Sequence, residues 1–420
     1  MGNLYTRIAL VTVGLLISGL AERAWAQVSI ASCTAPTVEN FNSLPSRTTH
    51  YTGPDYYSAS NNSSVGNVII NPPTAPTNTG GAYRYSCQNA STDFAFGSRP
   101  SGGTGTVHIG VRFQNNTGKP ITAFNISYRG EQYSLSENGN SNNTQRFSYK
   151  LNETSLTATG YTNVTSLNFL RLQTSATSGS SQISGLCGND PANSTTLSGT
   201  ITGICLQPGE TIMLRWSNDD QTGNDPHIAV DDVELTPTCF DVSISPVGPL
   251  TLCVGQTQVI TASGANTYSW SPATDFTTSS TIANPTLTAA TVGTRTYTVT
   301  GTNATGCTTT AGVTVTVNAL PTVTVNPVGP VTACQNATEP SITASGASTY
   351  TWSPAGNLSS STGATVNVIT TTVFGPETVT VTGTATNGCT NTTTVSIQVF
   401  ARPTVTVNPV GPVTACQNAT

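Results

Sequence analysis

In the C-terminal half of the chain, apolar and polar positions alternate with a period of two. "QVITASG", "TYSWSP", "RTYTVTGT" and "GVTVTVNA" place β-branched or aromatic residues at every second position, with small polar residues between them. Gly, Pro and Asn punctuate the runs. Such alternation marks strands with one buried face. Further upstream the strand signals are "TVHIGVRFQN", "AFNISYRGEQYS", "QRFSYKL", "TSLNFLRL", "ETIMLRWSN" and "IAVDDVEL", joined by long loops rich in Asn, Ser, Gly and Pro. No stretch carries a helical stripe. The pattern predicts an all-β protein.

The pattern also repeats. "ISPVGPLTLCVGQTQVITASGANTYSWSPA" aligns with "VNPVGPVTACQNATEPSITASGASTYTWSPA". Cys253, Trp270 and Cys307 recur as Cys334, Trp352 and Cys389, at offsets of 81, 82 and 82 residues. That period is a whole small domain, longer than a helical repeat or a propeller blade. About seven short strands in such a unit predict a two-sheet sandwich, with Trp270 and Trp352 as buried rings. The eighteen residues Pro321–Thr338 return identically at Pro403–Thr420. The expected order is therefore a β domain at 27–237, repeats at 238–320 and 321–402, and the opening of a third copy at 403–420. The chain reads as part of a longer array. Eighteen residues cannot bury a sandwich core, so the last segment is not expected to fold alone.

Residues 1–26 read as an export signal: Arg7, a thirteen-residue apolar run (Ile8–Leu20), then Ala24-Trp25-Ala26 as a small-x-small cleavage site. The run is short for a membrane anchor, and no later apolar stretch reaches spanning length. A secreted or cell-surface location follows, and it makes the ten cysteines candidates for disulfides. No pair has CxxC spacing, which argues against zinc and redox chemistry. Only 8% of residues are charged and the net charge is −5. With no basic patch, nucleic acid is excluded as a partner.

Catalytic chemistry has little to work with. There are three histidines, His50, His108 and His227. His108 alternates with Val107 and Ile109 and is expected on a solvent face. No GxSxG, HExxH, P-loop or GxGxxG follows a strand. From Cys239 onward the charged side chains are Asp241, Asp275, Arg295, Glu339, Glu377 and Arg402, too few for placed acid–base groups. The dense cluster is Asp219, Asp220, Asn224, Asp225, His227, Asp231 and Asp232. One reading is a hydrogen-bonded hairpin in which Asp231 and Asp232 face opposite sides; another is a carboxylate pair for glycoside hydrolysis. Glu131 in "RGEQY" is expected to pair with Arg129, Arg215 or another arginine, or else to bind a ligand. Tyr56 and Tyr57 are expected in a loop, as lid packing or as platforms for sugar rings.

"SGANTYSWSP", "SGASTYTWSP" and the "NATGC" and "ATNGC" turns resemble the Ig-like and PKD-like repeats of bacterial surface and adhesin proteins. "VENFNSLP", "IGVRFQNNTGKPITAFNISYRGEQY" and "LRWSNDDQTGNDPHIAVDDVEL" resemble a jelly-roll-like domain found at the front of large secreted bacterial proteins. The last motif departs from the usual form, with His227 displaced by Pro226. The resemblance implies a non-enzymatic surface protein: a head, with carbohydrate or another surface ligand as possible partner, on a stalk that acts in adhesion or as a spacer. The alternative is the non-catalytic front of a larger secreted hydrolase. It also implies a third reading of the acidic cluster, a structural Ca²⁺ site with Glu39, Asp231 and Asp232 as ligands. The equivalent spacing in both repeats predicts disulfides Cys253–Cys307 and Cys334–Cys389. Cys187–Cys205 is expected to close a local loop, and Cys33–Cys87 to leave Cys239 over.

Overall fold

The structure is a computed structural model that describes residues 28–42, 56–60, 81–87, 93–100, 105–135, 143–173, 186–221 and 225–406. The signal segment, His50, Asn224 and Cys416 lie outside the described residues. Among the described residues there is no α-helix. A single 3-10 turn spans Thr165–Leu167, and no helix is long and apolar enough to cross a membrane. The chain forms two compact units, 1–241 with 304–309, and 242–303 with 310–420.

The first unit is a two-sheet sandwich. One sheet runs β1 (Val28–Ile30), β6 (Val107–Asn115), β12 (Thr211–Asn218), β8 (Thr144–Leu151), β10 (Phe169–Leu170). In this sheet β3 (Tyr56–Ser60) joins β6 and β9 (Thr162–Asn163) joins β8. The other runs β11 (Ser194–Leu206), β7 (Ile121–Gln132), β13 (Ile228–Cys239), β5 (Ala95–Arg99), β4 (Gly81–Tyr85), with β2 (Thr37–Glu39) on β13. The successive strands β6, β7, β8, β11, β12 and β13 fall in alternate sheets. Each connection therefore crosses the sandwich, a jelly-roll-like path. Alternation decides what meets in the middle: Ile109, Val111 and Phe113 of β6 and Trp216 of β12 face Phe124, Ile126 and Tyr128 of β7 and Val230 of β13, all buried. Trp216 lies edge-on to Tyr128 and Phe147, at 5.5 and 5.4 Å. Tyr56 and Tyr57, expected in a loop, are in β3 and pair with Val111 and Gly110.

In the second unit each repeat has one four-stranded sheet. In the first repeat the order is Leu250–Cys253, Thr308–Asn318, Gly293–Thr302, Thr267–Ser271. In the second it is Val331–Cys334, Thr390–Phe400, Phe374–Thr384, Thr349–Ser353. Short strands form the opposing layer. Trp270 and Trp352 are buried, and their indole N–H groups donate to Ile282 and Gly363 carbonyls at 3.1 and 2.9 Å. Residues 401–406 belong to no strand.

The disulfides differ from every expected pair. Among the described residues they are Cys33–Cys239, Cys87–Cys187, Cys205–Cys307 and Cys253–Cys389, with Cys334 a free thiol. The reason lies in sheet register. Cys253 pairs in parallel with Asn318, at the far end of the strand that begins just after Cys307. At about 3.3 Å per residue, eleven residues separate the two cysteines by roughly 35 Å, whereas a disulfide needs Cα atoms within about 7 Å. Cys334 pairs with Phe400 and Cys389 precedes Thr390, so the same distance forbids Cys334–Cys389. Cys187–Cys205 fails likewise. Along β11, Ser194 pairs with Glu131 and Leu206 with Ile121, which puts Cys205 at the end remote from Cys187. Cys33 follows β1 at the end of the sandwich where β13 terminates in Cys239, while Cys87 follows β4 and meets Cys187 over the outer face of the β7–β13 sheet.

Candidate functional site

Chemistry-bearing side chains gather on that outer face. Inward residues of β7 and β13 fill the core, so Arg129, Glu131, Ala229 and Asp231 point the other way. Tyr83 and Tyr85 of β4 and Tyr133, just past β7, join them, and a small apolar cluster forms with Cys87, Ala95, Ala229 and Cys187. Tyr85 stacks on Tyr133 at 4.6 Å. Residues 186–193 close over the group. Leu186 N–H donates to the Tyr133 carbonyl at 2.9 Å. At Gly188 a Cβ would meet the Tyr133 ring at 2.5 Å, so only glycine lets the loop lie flat on it.

Glu131 is fully buried. Its carboxyl accepts from Tyr133 Oη at 2.7 Å and lies 3.0 Å from Arg129 Nε, the pairing expected within the sheet. Arg215 instead donates to the Leu156 carbonyl and stacks on Tyr161. Asn189 is the hub of the covering loop. Its side-chain N–H₂ donates to Asp93 at 2.5 Å, and its carbonyl accepts from Arg129 Nη2 at 3.1 Å.

The acidic cluster does not act as one site. A β-bulge between Asp231 and Glu234 inserts Asp232, in the left-handed region at φ 49°. Asp231 is therefore buried, and its carboxyl Oδ1 accepts from Asp232 N–H at 2.7 Å. Asp232 points outward, half exposed, 4.0 Å from Arg129. Glu39 registers with Val233 and caps its own turn, accepting from Phe41 N–H at 2.7 Å. Among the described residues no group of three His, Cys, Asp or Glu side chains is placed to hold a metal ion, so Glu39, Asp231 and Asp232 are not brought together as a calcium site. Asp219 pairs instead with Arg146 and accepts from Thr106 at 3.0 Å.

Burial disfavours charge on the enclosed groups of this network. It pushes the Asp231 carboxyl up to about 8, helped by the neighbouring Asp232 charge, and Asp225 up to about 7. It raises Glu131 as well, against the opposing pull of Tyr133 and Arg129. His227 is held well below its usual range by burial and by Arg99; its ring sits 2.5 Å from Tyr85 Oη. His108, expected on a solvent face, is buried, bonds Ser217 at 2.8 Å and is lowered to about 4. These groups are enclosed. Glu131 and Asp231 are 0% and 1% exposed, so neither carboxyl has a path to a sugar. Tyr83, Tyr85 and Tyr133 are equally enclosed and offer no stacking platform. The sequence contained two signals that point to this cluster: alternating tyrosines in "YRYSC" and the loop "CGND".

No protein-family model matches the chain, and no curated protein matches it. Among solved structures, the fibronectin(III)-like modules of CbhA from Clostridium thermocellum are 19% identical, with a TM-score of 0.22 over 38% of this chain and 95% of that one. The titin domains I67–I69 are 14% identical, at 0.24 over 38% and 66%. The tandem Ig repeats of Dlar are 11% identical, at 0.17 over 38% and 98%. Likenesses this low carry no argument; the all-β class rests on the sheets described above.

Proposed function

We propose that this is an exported, non-enzymatic surface protein whose repeats form a stalk, acting in adhesion or as a spacer, with the jelly-roll-like unit as its head. The observation that carries the reading is Cys253–Cys389, a bond from one repeat sandwich to the next. An interdomain bond gives the folding of either sandwich little beyond its own core, but it holds a series of modules together under load. The enclosed polar network of the head supports the non-enzymatic part: it stabilises a loop and presents no reacting group to solvent.

The test is a binding and turnover screen with the full chain immobilised through its C-terminus. Retention of one surface polymer, polysaccharide or extracellular protein, without chemical change to it supports the reading. Hydrolysis of any member of the panel, lost in Asp231→Asn, overturns it.

A further inference from the structure

Cys334 is exposed and unpaired, but its counterpart in the preceding repeat is not. Cys253 ends the strand Leu250–Cys253 and is bonded to Cys389, in the hairpin turn of the following repeat. Cys334 ends the strand Val331–Cys334, in the same parallel register. After each cysteine the chain makes the same turn. Gln256 N–H donates to the Cys253 carbonyl and Ala337 N–H to the Cys334 carbonyl, both at 3.0 Å. The residue two beyond the cysteine is left-handed in both, Gly255 at φ 87° and Asn336 at 57°. The backbone thus presents Cys334 as it presents Cys253.

The receiving half recurs too. Cys307 and Cys389 each follow a glycine in the left-handed region, Gly306 at φ 84° and Gly388 at 83°. They are 1% and 0% exposed, and each is bonded to a cysteine that precedes its own repeat, Cys205 and Cys253. The hairpin cysteine of a repeat therefore reaches back one domain.

We propose that Cys334 is the attachment site for the hairpin cysteine of a further repeat of the same kind, the one whose opening is written in Pro403–Thr420, in any form of the protein that completes it. The stalk would then grow by one interdomain disulfide per repeat. The two thiols join, and their two electrons and two protons pass to a disulfide oxidant such as oxidised glutathione, which leaves as two thiols. The inference rests on the stalk reading for its use but not for its chemistry.

The experiment compares the full chain with the same chain lengthened after Thr420 by a second copy of Glu339–Arg402. Both are oxidised with glutathione, alkylated, and mapped by mass spectrometry without reduction. Alkylation at Cys334 is expected to fall from near complete in the original chain to near zero in the lengthened one, with Cys334 linked to the added hairpin cysteine. Cys334→Ser should leave that added cysteine alkylatable. If Cys334 stays alkylatable, or links to Cys416, while Cys253–Cys389 is intact, the inference fails and the stalk reading stands. If Cys253 is found linked to Cys307, both fail.

Discussion

Asp231 carries its proton at neutral pH, and that makes the head's stability pH-dependent. An unfolded aspartate titrates near 3.9; folded Asp231 does so at about 8. Between those values the folded chain keeps a proton that the unfolded chain has lost, so stability falls as pH rises from about 4 towards 8. Asn in place of Asp231 retains the acceptor for Asp232 N–H and removes the ionisable group. The head of Asp231→Asn should therefore melt with wild type near pH 4 and several degrees above it at pH 8, by calorimetry on the full chain; a gap independent of pH would refute this. His108 acts in the opposite direction. Its folded value of about 4 lies below the unfolded value near 6.5, so its contribution is present above 6.5 and lost as pH falls. That Asp231 and Asp232 face opposite ways was legible from strand alternation alone. The Glu131–Tyr133–Asn189 group was not, because a loop more than fifty residues downstream closes it, and no local pattern encodes that contact.

Single elements of the repeats show how one geometry tolerates two chemistries. In the first repeat Asp275 is paired with Arg295 and accepts from Tyr297 Oη at 2.6 Å. Eighty-two residues on, the equivalent positions hold Asn357 and Glu377, joined by an amide-to-carboxylate bond of 2.7 Å. The acid has changed sides. Arg295→Glu alone should lower the melting temperature of the first repeat, since two carboxylates would then face each other. Adding Asp275→Asn should restore it, because the pair becomes that of the second repeat; failure of the double variant to recover would show that the two sites are not equivalent. The effect is modest, as the arginine is largely exposed. Core elements cost more. Trp352→Ala should destabilise its repeat by about 3–5 kcal/mol in denaturant titration, leaving a cavity and an unpaired Gly363 carbonyl. These strands and the buried tryptophans were plain in the period-two pattern; "GVTVTVN" alternates buried and half-buried from Val313 to Val317. What a period cannot supply is the partner of a repeated cysteine, because pairing within a repeat and pairing to the next are equally regular. Only the register of Cys253 against Asn318 decides between them.

Across the whole molecule the bonds set how far the chain can be pulled. A load entering at the N-terminus passes from Cys33 directly to Cys239, and then from Cys253 directly to Cys389. Cys87–Cys187 lies inside the first closed loop, and Cys205–Cys307 ties the first loop to the second, so neither lies on the load path. Almost all of both units is thus covalently bypassed, with separations of 206 and 136 residues held shut. At about 3.5 Å per extended residue these loops hide roughly 70 and 48 nm of contour length. Pulling the intact chain by its ends in an optical trap should give short extensions only. Addition of a reductant should release about 120 nm in total, and Cys389→Ser alone should release roughly 36 nm before any reductant is added, because the load then passes through Cys205–Cys307, which still bypasses part of the second loop. Pairing within repeats would instead close four short loops, none hiding more than about 20 nm. An oxidised chain that already extends to about half its full length or more would therefore rule out the domain-to-domain bonding on which a load-bearing stalk depends.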